Sequence, residues 1–318
     1  MLFGLVGSEM CIRDRGGVLN DPVLLRLAED EFWFSISDSD LLFWLQGVNV
    51  SKKYDVEIDE IDACPVQIQG PLSEDLMAKL AGEELRDVPY YGILETKVGG
   101  ADCVISQTGF TGEKGYEIYV RNAHENAEKM WNAVLEAGEE FGLMVIAPAH
   151  HRRIAAGILS WGQDLDHETS PFQVNLSYQV PRNKAADYIG KEELEKQRAI
   201  IDEGKAPFKM KMVGLTLGGK EITDYAPDFW LVTDTDANEV GYVTSPWWSP
   251  ELETNIALAW VPWESSEVGT KFMVKLPDEY SESPGVPVDA KVVDVPFRES
   301  VNPNKREVQA SKGLDYAD

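Results

Sequence analysis

The side chains with the clearest chemical potential are two carboxylates, Asp21 and Glu117. Asp21 follows the glycine-containing stretch Gly16–Asn20 and precedes Pro22, an arrangement that is also common in plain turns. Glu117 lies in the alternating stretch Tyr116–Val120, which predicts a strand of a one-sided sheet. A carboxylate in such a strand either accepts hydrogen bonds from a ligand or contacts water. The residues alone leave both alternatives open for each carboxylate.

A second group combines an arginine with an indole. Arg153 stands four residues before Gly157 and eight before Trp161. The sequence from about Pro148 to Trp161 predicts a helix on which these three residues lie near one face. A guanidinium binds carboxylates or carbonyls, and an indole stacks on flat rings. A surface arginine near a core tryptophan fits the same pattern, and Arg152 points elsewhere on this helix.

Aromatic residues stand at two further positions. Phe110 lies at the tip of a predicted hairpin, in a link of eight residues from Thr108 that contains three glycines and suits a tight turn. An aromatic ring attracts a desolvated cation by about 0.5–2 kcal/mol. Trp247 and Trp248 either line a ligand site as a second aromatic wall or pack between domains.

The composition limits the possible partners. Lys and Arg number 29 and Asp and Glu 55, so the formal net charge is −26. This surface repels phosphate backbones and anionic membranes, so we expect neither nucleic acid nor membrane as a partner. Solubility in a salty environment and steering of a cationic substrate both account for such a charge. With three cysteines and four histidines at scattered positions, we expect no metal site and a cytoplasmic location.

The chain divides into regions by composition. Residues 1–15 resemble translated sequencing-adapter read-through, so we expect them to be artefactual and the native N-terminus to be truncated. Residues 16–206 alternate strand and helix patterns and are expected to form an α+β region of two subdomains, with a charged link at 182–206. Short β-type runs between Pro, Gly and Asp turns predict a β-barrel at 207–300. Residues 301–318 form a polar tail.

Several segments, in chain order, resemble motifs of the glycine-cleavage T-protein family. They are the Gly-Gly loop at 16–21, Ile-Gln-Gly-Pro at 68–71, the Thr-Gly-Phe-Thr-Gly-Glu hairpin at 108–117, Trp-Gly-Gln-Asp-Leu-Asp at 161–166, Thr-Ser-Pro at 169–171, Tyr-Ile-Gly-Lys at 188–191, Val-Thr-Ser at 243–245, Ser-Pro at 249–250 and Val-Pro-Phe at 295–297. Their order, and not any single motif, carries the resemblance. It implies an α+β fold with three domains in a ring around a folate channel, ending in a β-barrel.

The family moves one-carbon groups to N5 of tetrahydrofolate. The resemblance therefore implies a transferase that uses tetrahydrofolate as cofactor, takes a small-molecule methyl donor and acts as a monomer or homodimer. It implies roles for seven residues, which are Asp21 in catalysis, Asn20, Glu117, Arg153 and Trp161 in cofactor binding, and Phe110 and Tyr116 in substrate binding.

One subgroup of this family resembles the chain more closely than the T-proteins do. Residues 17–23 and 32–40 are similar to dimethylsulfoniopropionate demethylases, and Asn20 stands where T-proteins usually carry a second acidic residue. We therefore expect methyl transfer from dimethylsulfoniopropionate or a similar donor, with Phe110 facing the sulfonium. The Thr-Gly-Phe-Thr-Gly-Glu segment itself resembles the T-protein form.

Two alternatives remain. A glycine-cleavage aminomethyltransferase must dock an acidic lipoyl carrier protein, which a chain of charge −26 would repel. A non-catalytic folate-binding protein of the iron–sulfur assembly type would carry a cysteine in the segment corresponding to Asp187–Lys191, and this chain has none there.

Overall fold

A computed structural model describes residues 6–8, 11–36, 40–182 and 184–298. The helices are α1 (Leu41–Lys52), α2 (Ser73–Ala81), α3 (Ala123–Gly138), α4 (His150–Ala155) and α5 (Lys191–Asp202). The strands are β1 (Val6–Ser8), β2 (Cys11–Ile12), β3 (Val18–Asn20), β4 (Val23–Arg26), β5 (Phe32–Ser35), β6 (Ala63–Gln69), β7 (Ile93–Val98), β8 (Ala101–Ser106), β9 (Gly115–Arg121), β10 (Met210–Leu217), β11 (Trp230–Thr233), β12 (Glu239–Ser249), β13 (Thr254–Pro262), β14 (Lys271–Val274) and β15 (Val288–Val293). None of the helices in these ranges is long and apolar enough to cross a membrane.

The chain divides into two compact units. Within the described residues, the first contains 6–8 and 20–148, and the second contains 11–19 and 149–298. The boundaries predicted at residues 15, 206 and 300 stay predictions, and the polar tail from 301 lies outside the described residues. In the stretch predicted to be artefactual, Val6–Ser8 pairs with Val23–Leu25 and Ile12 is buried.

The first unit is built on an antiparallel sheet of order β6-β9-β8-β7. Side chains alternate between the two faces of a strand, and on β9 the alternate residues Tyr116, Ile118 and Val120 join the core formed with α2 and α3. Tyr119 faces the other way and packs with Leu25 of β4. Glu117 shares the face of Tyr119, because it stands two residues away on the same strand.

Helix α2 begins at Ser73, which is its first helical residue. The Ser73 Oγ donates to the carbonyl of Lys114 at 3.1 Å. The hydroxyl therefore ties the helix start to the hairpin that precedes β9.

The second unit contains a closed antiparallel barrel of order β10-β13-β12-β11-β14-β15. Its core is filled by alternate small and branched residues such as Leu215, Val232, Ala257 and Val274. This filling matches the short β-type runs of the sequence, and the predicted C-terminal β-barrel and α+β class are confirmed.

Two local predictions in the second unit are wrong. The helix predicted from Pro148 to Trp161 is only α4, because the backbone turns at Gly157, whose φ is +70°. Trp161 therefore does not share a helical face with Arg153. The charged stretch 182–206, predicted as a link, contains α5, whose Leu194 is 1% exposed and packs in a core cluster.

Candidate functional site

The half-buried Glu117 carboxylate is the centre of a chain of polar side chains in the first unit, in which Ser106, Thr108 and Tyr119 are buried. The hydroxyls of Thr108 and Tyr119 both donate to Glu117 Oε2, that of Tyr119 at 3.0 Å. The hydroxyls of Thr108 and Ser106 lie 2.5 Å apart. Glu117 Oε1 makes no hydrogen bond within the part of the chain that the structure describes. One carboxylate oxygen is therefore held in place, and the other can still accept donors.

Burial and hydrogen bonds shift the pKa of Glu117 in opposite directions. Burial raises the pKa of the Glu117 carboxyl above its ordinary value, while the hydrogen bonds from Thr108 and Tyr119 lower it. Burial, with the nearby Glu117 charge, raises the pKa of the Tyr119 phenol, so this phenol stays a donor. The burial of Tyr90 raises its pKa as well, with a smaller contribution from Glu117.

Tyr116, predicted as a substrate contact, lies on the opposite face of the sheet. It is fully buried in the core under the helices. Its hydroxyl accepts a hydrogen bond from Gln107 Nε2 at 3.2 Å, and burial raises the pKa of Tyr116 to about 12. The structure therefore does not bring Tyr116 together with Glu117. Tyr119, which was not among the predicted site residues, lies beside Glu117 instead. The alternation of side chains along β9 could have indicated this position.

Asn20 and Asp21 lie where β3 ends and the chain turns into β4. Asn20 is fully buried, whereas Asp21 is exposed. Strand β4 pairs Val23 with Ser35, and Val23 and Leu25 of this strand pack in the cluster that contains Tyr119. The start of β4, two residues after Asp21, therefore lies on the side of the sheet that carries Glu117.

Phe110 is at the tip of the β8–β9 hairpin, as predicted. It is 38% exposed, and its backbone N–H donates to Gln67 Oε1 at 3.2 Å. Thr111, the next residue, is buried and donates to Gln69 Oε1 at 2.5 Å. The aromatic ring is thus presented to solvent on a loop that is held by side chains of β6.

Arg153, predicted as a cofactor contact, lies in the interior of the second unit. Its side chain is 1% exposed and forms an ion pair with Asp164, whose side chain is 0% exposed, at 2.7 Å. It also donates to Ser245 Oγ at 2.8 Å and to the carbonyl of Ile158 at 3.2 Å. These donors tie α4 to the barrel strand β12 and to the turn that follows Trp161.

Asp164 is a fully buried carboxylate of this unit to which the sequence assigned no role. Beyond Arg153, it accepts hydrogen bonds from the Thr244 and Ser245 hydroxyls, each at 2.6 Å, and from the Ser160 N–H at 2.8 Å. Trp161 is half-buried and packs against the core cluster of this unit. Asp164 therefore fixes the turn that carries Trp161.

His150 and two aromatic side chains of the second unit pack against one another. His150 stacks on Trp247 at 5.5 Å between ring centroids and lies tilted against Tyr225 at 5.4 Å. This contact lies within the second unit, so both interpretations of Trp247, an aromatic wall or interdomain packing, stay predictions. Among the described residues, no group of three or more His, Cys, Asp or Glu is placed to hold a metal ion.

Two family models match this chain. The GCVT N-terminal domain matches residues 4–184, and the glycine cleavage T-protein C-terminal barrel domain matches residues 211–298. The chain belongs to the glycine-cleavage T-protein family. It is therefore a one-carbon transferase that uses tetrahydrofolate, as the sequence predicts.

Individual members of the T-protein family show the same relationship. The chain is 34% identical to the dimethylsulfoniopropionate demethylase DmdA of Ruegeria pomeroyi, over 83% of this chain and 69% of that protein. It is 33% identical to an aminomethyltransferase of Clostridium botulinum strain Kyoto, over 84% of this chain and 70% of that protein. The glycine cleavage system aminomethyltransferase T of Bartonella henselae has a similar fold, with a TM-score of 0.71 at 22% identity, over 94% of this chain and 78% of that one.

The chemistry of Glu117 fits the cofactor of the T-protein family. The aminopyrimidine edge of a pterin presents N–H donors, and a carboxylate oxygen that lacks a partner is a matching acceptor. The other oxygen is already held by two hydroxyls, so the carboxylate is oriented before a ligand arrives. Preorganisation of this kind lowers the cost of binding.

Proposed function

We propose that this chain is a tetrahydrofolate-dependent demethylase that moves a methyl group from dimethylsulfoniopropionate, or a similar cationic donor, to N5 of the cofactor. The observation that carries the proposal is the Glu117 carboxylate, with Oε2 held by Thr108 and Tyr119 and Oε1 open. In this proposal Glu117 binds the pterin, and Asp21 balances positive charge near the transferred carbon. Phe110 faces the donor cation with its ring.

The chain's main task in this reaction is positioning. A sulfonium already carries a good leaving group. Its S–CH3 bond breaks as the N5–CH3 bond forms, the neutral sulfide leaves with the bonding electrons, and the methylated N5 then loses its proton. No nucleophilic side chain is required, so the protein has to align the two reactants and exclude water. Such alignment lowers a barrier by roughly 7–11 kcal/mol at best. The fixed geometry of Glu117 and of the Phe110 loop suits this task.

Asn20 favours demethylation over aminomethyl transfer. Aminomethyl transfer releases ammonia, which requires a proton donor, whereas a sulfide leaves without one. Asn20 is fully buried and neutral beside Asp21, at the position where T-proteins usually have a second acidic residue. The chain therefore keeps one acid, Asp21, at the end of β3. The net charge of −26 also disfavours docking of an acidic lipoyl carrier.

The glycine-cleavage aminomethyltransferase remains the second candidate. Its support is the 33% identity to an aminomethyltransferase, over a share of the chain similar to that covered by the demethylase. A non-catalytic folate-binding role has less support, since the segment Asp187–Lys191 has no cysteine. A monomeric or homodimeric state and a cytoplasmic location stay predictions.

A donor comparison tests the proposal. The chain is supplied with tetrahydrofolate and either dimethylsulfoniopropionate or aminomethyl-lipoyl carrier protein, and the folate products are separated. We expect 5-methyltetrahydrofolate from the first mixture, and at least roughly tenfold slower turnover in Asp21→Ala, because charge stabilisation beside the reacting carbon is lost. Methylenetetrahydrofolate formed only from the carrier protein would establish the second candidate instead. Equal rates for Asp21→Ala and the wild type would remove Asp21 from the site.

A further inference from the structure

Gln69, the last residue of β6, spans the loop that links β8 to β9. Its Oε1 accepts the Thr111 hydroxyl at 2.5 Å, and its Nε2 donates to the Thr108 carbonyl at 3.3 Å. A Cβ at Gly109 or Gly115 would lie 2.3 or 2.1 Å from Gln69 Nε2. Glycine at both positions therefore leaves the space that this amide occupies.

Gln67 makes a second attachment, on the face of the sheet that carries Glu117. Gln67 and Glu117 are direct neighbours in the register of β6 and β9. Ile68, between the two glutamines, is buried in the core on the helix side, so both amides project to the opposite face. Since Gln67 Oε1 accepts the Phe110 N–H at 3.2 Å, one side chain touches the backbone of Phe110 and flanks Glu117.

The far end of the loop has an anchor of its own. The carbonyl of Lys114 accepts hydrogen bonds from Gly70 N–H at 3.0 Å and from Ser73 Oγ at 3.1 Å. The Lys114 ammonium forms an ion pair with Glu74 of α2. These attachments do not involve Gln67 or Gln69. Loss of either amide therefore removes one attachment from the middle of the loop, while the end of the loop stays tied to α2.

We propose that Gln67 and Gln69 are positioning residues that set the place of Phe110 relative to Glu117, and with it the choice of methyl donor. The link to donor choice rests on the proposed function. The two amides act through the loop: Gln67 holds the backbone of Phe110, and Gln69 holds Thr108 and Thr111 on either side of it. Cofactor binding at Glu117 depends on them less than donor binding does, because the Tyr119 hydroxyl of β9 also holds that carboxylate and contacts neither amide.

The test compares Gln67→Met and Gln69→Met, which keep side-chain length and remove the amide, with Gln46→Met. Gln46 donates to the Ile58 carbonyl at 2.9 Å elsewhere in the same unit and serves as the matched control. Amide hydrogen exchange is followed at Phe110, whose N–H is held by Gln67, and at Glu113, whose N–H donates to Thr111 Oγ1 at 3.1 Å. We expect exchange roughly five- to tenfold faster at Phe110 in Gln67→Met and at Glu113 in Gln69→Met.

A kinetic readout accompanies the exchange measurement. The KM for dimethylsulfoniopropionate should rise roughly five- to tenfold in both variants, while the Kd for tetrahydrofolate and the melting temperature stay close to those of Gln46→Met. Gln69→Glu keeps the acceptor for Thr111 and should restore slow exchange at Glu113. Unchanged exchange in both methionine variants would overturn the inference. So would an equal weakening of donor and folate binding.

The two proposals fail in different ways. If the wild type transfers a methyl group from neither donor, the proposed function fails, and the exchange data alone then decide whether Gln67 and Gln69 hold the loop. If the wild type is active, and the variants exchange faster with an unchanged KM, the loop is held by the glutamines but does not choose the donor, which overturns the inference.

Discussion

Replacement of Arg153 by methionine would separate a structural role of this arginine from direct contact with the cofactor. The guanidinium and its partner Asp164 are 1% and 0% exposed. Methionine has a similar length but no charge and no donors. Asp164 would then keep a buried negative charge with no cation beside it.

The size of the effect follows from the surroundings of Asp164. The carboxylate would still accept hydrogen bonds from Ser160, Thr244 and Ser245, but these donors are neutral. Removal of one partner from a buried ion pair costs about 3–5 kcal/mol. In a unit of this size, each kcal/mol lowers the melting temperature by roughly 2–4 °C, so we expect a decrease of about 6–20 °C.

Thermal unfolding followed by circular dichroism measures this decrease. Arg152→Met is the matched control, because Arg152 is the exposed neighbour on α4. The double variant Arg153→Met/Asp164→Asn should recover part of the loss, since it no longer buries an unpaired charge. Turnover of Arg153→Met should also fall by roughly tenfold or more, because the turn that carries Trp161 loses its tie to α4.

The result that would refute this reasoning is a melting temperature of Arg153→Met equal to that of Arg152→Met. If the same variant also bound tetrahydrofolate at least tenfold more weakly, Arg153 would be the direct cofactor contact that the family resemblance implies.

Three further predictions concern the first unit. Burial raises the pKa of Glu117, and its ionised carboxylate is the form that accepts pterin donors, so the affinity for tetrahydrofolate should be full above this raised pKa and fall as the pH drops through it. In calorimetric titration, Glu117→Gln should weaken binding and remove the dependence of affinity on pH. A variant that keeps this pH dependence would contradict the prediction. Thr108→Val removes a hydrogen bond that lowers the Glu117 pKa, so the decrease in tetrahydrofolate affinity should occur at higher pH. If the midpoint of that decrease stays at the same pH, the Thr108 hydroxyl does not act on the carboxyl. Phe110→Trp should lower the KM for a cationic donor by roughly two- to fivefold, because indole attracts cations more strongly than phenyl; the same change in KM for an uncharged analogue would point to contact area instead.

Local patterns in the sequence predicted much of the fold. Alternation in Tyr116–Val120 indicated a strand, and the glycine-rich link before it indicated a hairpin, because both features depend on the residues themselves. The β-type runs after residue 207 predicted the barrel, which the structure confirms. The helix at 148–161 was overestimated because Gly157 turns the backbone to a positive φ against Val295, a residue far away in the chain.

The sequence alone determined the family, the cofactor class and Glu117 as a candidate, because ordered motifs and a charged residue in an alternating strand are visible without coordinates. Only the tertiary structure decided which of the two faces of the sheet packs against the helices. It placed Tyr116 in the core and Tyr119 beside Glu117. It also showed that Arg153 is held by Asp164. The physical reason is that burial and hydrogen-bond partners depend on residues distant in sequence, and these determine whether a charged side chain supports the fold or meets a ligand.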